Sequence, residues 1–249
     1  MFIIPNSRPP AEDKQIRLLI IGVPGSGKTT SSLTFPNPIC ANTDRGLLGH
    51  RHRTDIQEVP FYDEEWLRKN FPSETPASAY LSFIKKHRKN LTPDQTLITD
   101  SLTTLQDYFH SAKEPQTPTS KGGELDKRWI WSEKLKYMRD VHLALGELKC
   151  NIVSIIHEVP ERNSEGVIIG YRNALTGAFG DSLGRCYTDL FRQIVVVTDK
   201  NEGGKLIKSY EYKFQIKPDA TYKIIKTRQQ TTQQFIPATY EAIKELYKL

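Results

Sequence analysis

Residues 22–29 read Gly22-Val23-Pro24-Gly25-Ser26-Gly27-Lys28-Thr29, and this run constrains the chain more than any other feature. Glycines at that spacing let successive backbone N–H groups turn inward around an anion, and the helix expected from Lys28 presents its positive end to the same point. Lys28 then reaches the β- and γ-phosphates of a nucleotide, Thr29 supplies a hydroxyl to Mg²⁺, and Thr30 completes the phosphate cradle. The flanks agree. An apolar run, Ile16-Arg17-Leu18-Leu19-Ile20-Ile21, predicts a strand before the loop, and a helix ending by Pro36 follows it. ATP or a related nucleotide with Mg²⁺ is therefore the expected cofactor pair, against the alternative of a chance Gly-rich turn.

Further along, a short strand is expected at Ile39-Cys40-Ala41-Asn42, finishing at Asp44, and a polar helical stretch at 64–90, interrupted by Pro72 and Pro76. A strand at Thr96-Leu97-Ile98-Thr99 ends at Asp100. Trp131, Leu135, Met138, Leu145 and Leu148 recur at helical spacing ahead of a buried-type strand, Ile152-Val153-Ser154-Ile155-Ile156, ending at His157. Strands then follow at 194–198, 206–216 and 222–227, with a turn over 199–204 and a closing helix after Pro237. The expected fold class is α/β, a mainly parallel central sheet flanked by helices with antiparallel strands added toward the C-terminus, and its site along the strands' carboxyl edge.

A chain of 249 residues with both charge signs interspersed fits one domain, 16–249, preceded by an extended arm over residues 1–15 that carries three prolines. Phe2-Ile3-Ile4 in that arm could dock on an adjacent protomer; the alternative is a disordered tail. No apolar run approaches the roughly 20 residues of a membrane span, so a cytoplasmic protein with no membrane partner is expected. Cys40, Cys150 and Cys186 lack metal-ligand spacing and read as reduced and structural. The net charge of +6 is compatible with a polyanionic partner but decides little alone.

Four further features carry chemistry. Asp100 is placed to hold Mg²⁺ through its water shell, or else caps the next helix. Asp44 could orient or deprotonate an attacking water, or else serves a turn ahead of Arg45-Gly46. His157 could contact a γ-phosphate and pass its presence into the following segment, or else caps or fills the core. Segments 112–127 and 158–175 read as long loops. Lys113, Lys121, Lys127, Arg128, Arg162 and Arg172, with Trp129 and Tyr171, suit a phosphate backbone and base stacking. Against that, Glu114, Glu124, Glu158, Glu161 and Glu165 dilute the charge, as on an ordinary solvated surface.

The order of these motifs resembles the RecA family of P-loop ATPases, in particular small phage RecA-core proteins described as ATP-binding or single-strand annealing proteins, over most of residues 16–235. Leu97-Ile98-Thr99-Asp100-Ser101-Leu102-Thr103-Thr104-Leu105 is similar to the RecA metal-binding strand. Asp44 falls where that family has a catalytic glutamate, and His157 where it has a γ-phosphate-sensing glutamine. The resemblance makes 112–127 and 158–175 the DNA-binding loops. It also makes Lys226 and Arg228, after Tyr222-Lys223-Ile224-Ile225, the basic pair that touches ATP on the neighbouring subunit.

What the resemblance implies is an ATPase that binds single-stranded DNA and assembles into a filament or ring with ATP between protomers. A single-stranded-DNA-binding protein is a further candidate partner. The family's large accessory domains have no counterpart here, so strand annealing is implied rather than full exchange. A P-loop kinase of a small nucleotide or metabolite, and a packaging or helicase-loading ATPase, remain as alternative functions.

Overall fold

The computed structural model describes residues 15–119, 126–175, 185–202, 205–220, 222 and 224–249. The arm over 1–14 and Lys121 thus lie outside the described residues. The first strand, β1 (Arg17–Gly22), is buried along almost its whole length, as its unbroken apolar run requires of a strand covered on both faces. It leads through the glycine loop into α1 (Lys28–Ser32) and then β2 (Pro38–Asn42). A 3₁₀ turn (Gly46–His50), β3 (Gln57–Pro60), α2 (Glu64–Asn70) and α3 (Pro76–His87) follow. Then come β4 (Thr96–Asp100), α4 (Leu102–Lys113), α5 (Lys127–Gly146) and β5 (Asn151–Arg162). The chain finishes with β6 (Ile168–Asn173), β7 (Asp189–Glu202), β8 (Lys205–Gln215), β9 (Phe235–Pro237) and a closing helix, Tyr240–Tyr247.

The strands form one sheet in the order β3-β2-β4-β5-β1-β7-β8-β9, with β6 paired to β5 outside that path. Pairing is parallel from β3 through β7, while β8, β9 and β6 pair antiparallel. The α/β fold expected from the sequence is therefore the fold observed. One face of the sheet packs against α3, α4 and α5 through Tyr80, Ile84, Leu105, Tyr137 and Val141. The other buries Leu33, Phe35, Phe191, Phe214 and Ile243. Local chemistry sets the helix starts: Asp63, Thr75, Ser101 and Asp126 each accept backbone N–H bonds at an N-terminus, and Pro76 takes the first position of α3.

Three expectations change. Segment 158–175 is not a loop. β5 runs on to Arg162 and returns as β6, because Asn163 Oδ1 accepts from the backbone N–H groups of Glu165 and Val167 and closes a tight turn. Segment 112–127 is shorter than expected, since α4 reaches Lys113, a 3₁₀ turn covers Glu114–Gln116 and α5 begins at Lys127. Residues 222–227 form no described strand and contribute a single bridge, Leu190 to Lys226. No described helix is long and apolar enough to cross a membrane.

Candidate nucleotide-binding site

The elements that feed the site meet at the carboxyl edge of the parallel strands, where β1, β2 and β4 end and β5 runs on. β1 delivers the glycine loop, β2 delivers Asp44, β4 ends on Asp100, and β5 sets His157 opposite Gly22. Gly27 adopts φ 84°, a left-handed conformation, and a Cβ there would lie 2.7 Å from the ring of Tyr212, so both backbone and space demand glycine. Lys28 is buried, and its Nζ donates to the carbonyls of Gly22 and Val23 at 2.9 and 2.8 Å. Burial lowers the pKa of this amine, while Asp100, Glu158 and Asp44 oppose that shift. Ser26 Oγ, inside the loop, is buried with no hydrogen-bond partner among the described residues, an orphan that a phosphate oxygen would satisfy. Thr30 sits at the edge of the cluster, its hydroxyl 3.2 Å from His50 Nε2.

Thr29 Oγ1 donates to Asp100 Oδ2 at 2.6 Å. Asp100 is 2 % exposed, and its pKa is pushed up to about 6, first by burial and then by the neighbouring Asp44 carboxylate; Thr29, Lys28 and His157 act in the opposite direction. The alternative cap role falls away, because Ser101, not Asp100, accepts the backbone N–H of Thr104 at the start of α4. Gly46 closes the other side: a Cβ on it would stand 2.6 Å from Asp100 Oδ2, 3.1 Å from Thr29 Oγ1 and 3.3 Å from Asp44 Oδ1. Three oxygens thus share one small space. Hard oxygen donors around a carboxylate that burial disfavours as an anion fit Mg²⁺, which Thr29 and Asp100 would hold.

Asp44 and His157 meet across the strand edge, Oδ2 to Nε2 at 3.6 Å, each about a quarter exposed. Asp44 also precedes a turn, since Arg45 takes φ 64° and the 3₁₀ helix starts at Gly46. His157 is held through its backbone N–H by Thr103 Oγ1, and its Nδ1 is buried without a hydrogen-bond partner among the described residues.

Other expected site residues lie elsewhere. Lys226 bridges Leu190, which pairs with Leu19, three residues before Gly22, so it does not join its own chain's phosphate loop. Its Nζ donates to the Tyr187 carbonyl, and the Arg228 backbone N–H to Asp189. Lys113 ends α4, Lys127 and Arg128 open α5, and Arg162 and Arg172 sit on the β5–β6 hairpin. Arg162 bonds the Gly166 carbonyl, and Arg172 lies 4.0 Å from Glu161. Tyr171 does not offer both faces to a base, because the Arg192 guanidinium covers one at 4.5 Å. Glu158 does not dilute a loop charge; it is buried and paired with Arg192. Sequence reading missed Gly46, Tyr212 and this pair. Only Gly46, two residues after Asp44, carried a local signal.

A family model described as an AAA domain matches residues 14–175. No curated protein matches the chain. Among solved structures, the flagellar accessory protein FlaH from Methanocaldococcus jannaschii is similar at 11% identity and a TM-score of 0.37, over 88% of this chain and 83% of that one. A prototypical ATPase from the type III secretion system of pathogenic bacteria is similar at 12% identity and a TM-score of 0.41, over 71% of this chain and 50% of that one.

Proposed function

This chain belongs to the AAA domain family of P-loop ATPases, and from that premise we propose that it hydrolyses ATP at the cluster of Lys28, Thr29, Asp44, Asp100 and His157. The observation that carries the reading is the Thr29–Asp100 hydrogen bond inside a gap that only glycine at position 46 leaves open. Lys28 and the loop's N–H groups bind the β- and γ-phosphates in place of the Gly22 and Val23 carbonyls that Lys28 now engages. Bound Mg²⁺ would supply positive charge to the phosphate oxygens from its seat on Thr29 and Asp100. Asp44 orients the attacking water and accepts its proton, with His157 Nε2 standing 3.6 Å from that carboxylate. ATP turnover by wild type and Asp100→Asn, with and without Mg²⁺, tests the assignment; equal turnover by both would refute it.

The finer reading is a RecA-like ATPase that binds single-stranded DNA. Its support is continuity: β5 passes without a break from His157 into an exposed hairpin that carries Arg162 and Arg172, with Val167, Ile168 and Ile169 exposed near its turn. Such a hairpin joins cationic contacts for phosphates to apolar contacts for bases. Filter binding of poly-dT with and without an ATP analogue tests it, and affinity indifferent to the nucleotide would count against coupling. Assembly into a filament or ring belongs to the same proposal, since Lys226 and Arg228 stand away from their own loop. Light scattering with the analogue reports it.

A further inference from the structure

β1 stops at Gly22, while the strands on either side of it continue. β5 runs past His157, which is opposite Gly22, to Glu158, and β7 carries Arg192 opposite Ile21. Strands two places apart in a sheet stand about 9–10 Å from each other, too far for backbone pairing. Side chains span the gap that β1 leaves. Arg192 donates from Nε to Glu158 Oε2 at 3.0 Å and from Nη2 to Oε1 at 2.9 Å. The pair is largely withdrawn from water, with the Glu158 side chain 1% and that of Arg192 15% exposed. Its guanidinium lies between two rings, Tyr171 of β6 at 4.5 Å and Tyr222 at 4.7 Å. One side chain thus grips β5, β6 and β7 together.

We infer that Arg192 is a positioning residue for nucleotide turnover: by holding Glu158 it fixes the adjoining His157 opposite Gly22 and facing Asp44, and it ties the β5–β6 hairpin to the nucleotide site. Successive residues of a strand point to opposite faces, so Arg192 holds β5 from one face while His157 serves the other. A buried ion pair adds little net stability over an apolar pair of similar volume; its contribution here is geometry, through a planar fork that a lysine cannot reproduce. The inference rests on the ATPase reading above.

The test compares wild type, Arg192→Met, Arg192→Lys and the double variant Glu158→Gln/Arg192→Met, which leaves no unpaired buried charge and therefore separates positioning from folding. Three quantities are read: kcat for ATP, the Kd for a fluorescent ADP analogue, and hydrogen–deuterium exchange over residues 158–173 with and without a non-hydrolysable ATP analogue. In all three variants kcat falls about tenfold while Kd stays within about twofold, the signature of an interaction that matters in turnover rather than binding. Exchange in the hairpin rises and no longer responds to nucleotide. Wild-type kcat together with wild-type hairpin exchange in the double variant overturns the inference. Wild type that binds no nucleotide overturns the ATPase reading instead, and hairpin exchange in Arg192→Met then decides on its own whether Arg192 holds the hairpin.

Discussion

Thr29 and Asp100, 71 residues apart in sequence, share a 2.6 Å hydrogen bond from hydroxyl to carboxylate. That contact brings the end of β4 to the start of α1, the helix that follows β1, across the one strand, β5, that separates β4 from β1. It also leaves a buried carboxylate whose charge burial and Asp44 both oppose, which is the electrostatic condition under which a divalent cation binds well.

Lys28→Ala is expected to lower ATP turnover by at least about 100-fold with the circular dichroism spectrum unchanged, because it removes the cation on the phosphates without touching either apolar core. Turnover within about tenfold of wild type would remove Lys28 from the mechanism.

Gly46→Ala is expected to raise the Mg²⁺ concentration needed for half-maximal turnover about tenfold or more, since the added methyl would stand 2.6 Å from Asp100 Oδ2. A Mg²⁺ titration of turnover in the two proteins checks this. An unchanged midpoint would show that the cation sits elsewhere.

His142 gives the fold a pH dependence on the acid side. Burial lowers its pKa from 6.5 to about 4, against the opposing effect of the hydrogen bond to the Met138 carbonyl, while Nε2 lies 3.0 Å from the Tyr187 hydroxyl. Between those values the unfolded chain holds a proton that the folded chain does not, so stability falls as pH drops from 6.5 toward 4, by about 3 kcal/mol at most from this group. Thermal melts of wild type and His142→Gln across that range should show a shallower loss in the variant. Parallel curves would mean that other groups govern acid unfolding.

On the proposed DNA-binding reading, binding to poly-dT should weaken steeply with salt, and charge reversal at Lys121, Lys127, Arg162 and Arg172 together should weaken it further, because each cation would displace counterions from the strand. A quadruple variant that binds as tightly as wild type at equal salt would exclude these positions as the DNA site.

The phosphate loop was legible in the sequence because its requirements are local: glycines whose backbone must turn, a lysine and a threonine at fixed offsets, and a strand and helix on either side. For the same reason Asp44 and Asp100 could be assigned to strand ends, since apolar runs mark where buried strands stop, whereas His157 ends only the apolar part of β5, which runs on to Arg162. Partners were another matter. That Asp44 faces His157, that Gly46 leaves room for three oxygens and that Arg192 reaches Glu158 all follow from the strand order β2-β4-β5-β1-β7 and its register. Periodicity carries no record of which strand lies beside which. The β5–β6 hairpin was missed because Glu158, Glu161 and Arg162 break the apolar pattern, while the burial of Glu158 depends on a guanidinium 34 residues away. Local geometry determined the chemistry this chain carries; packing across the sheet decided which side chains act together.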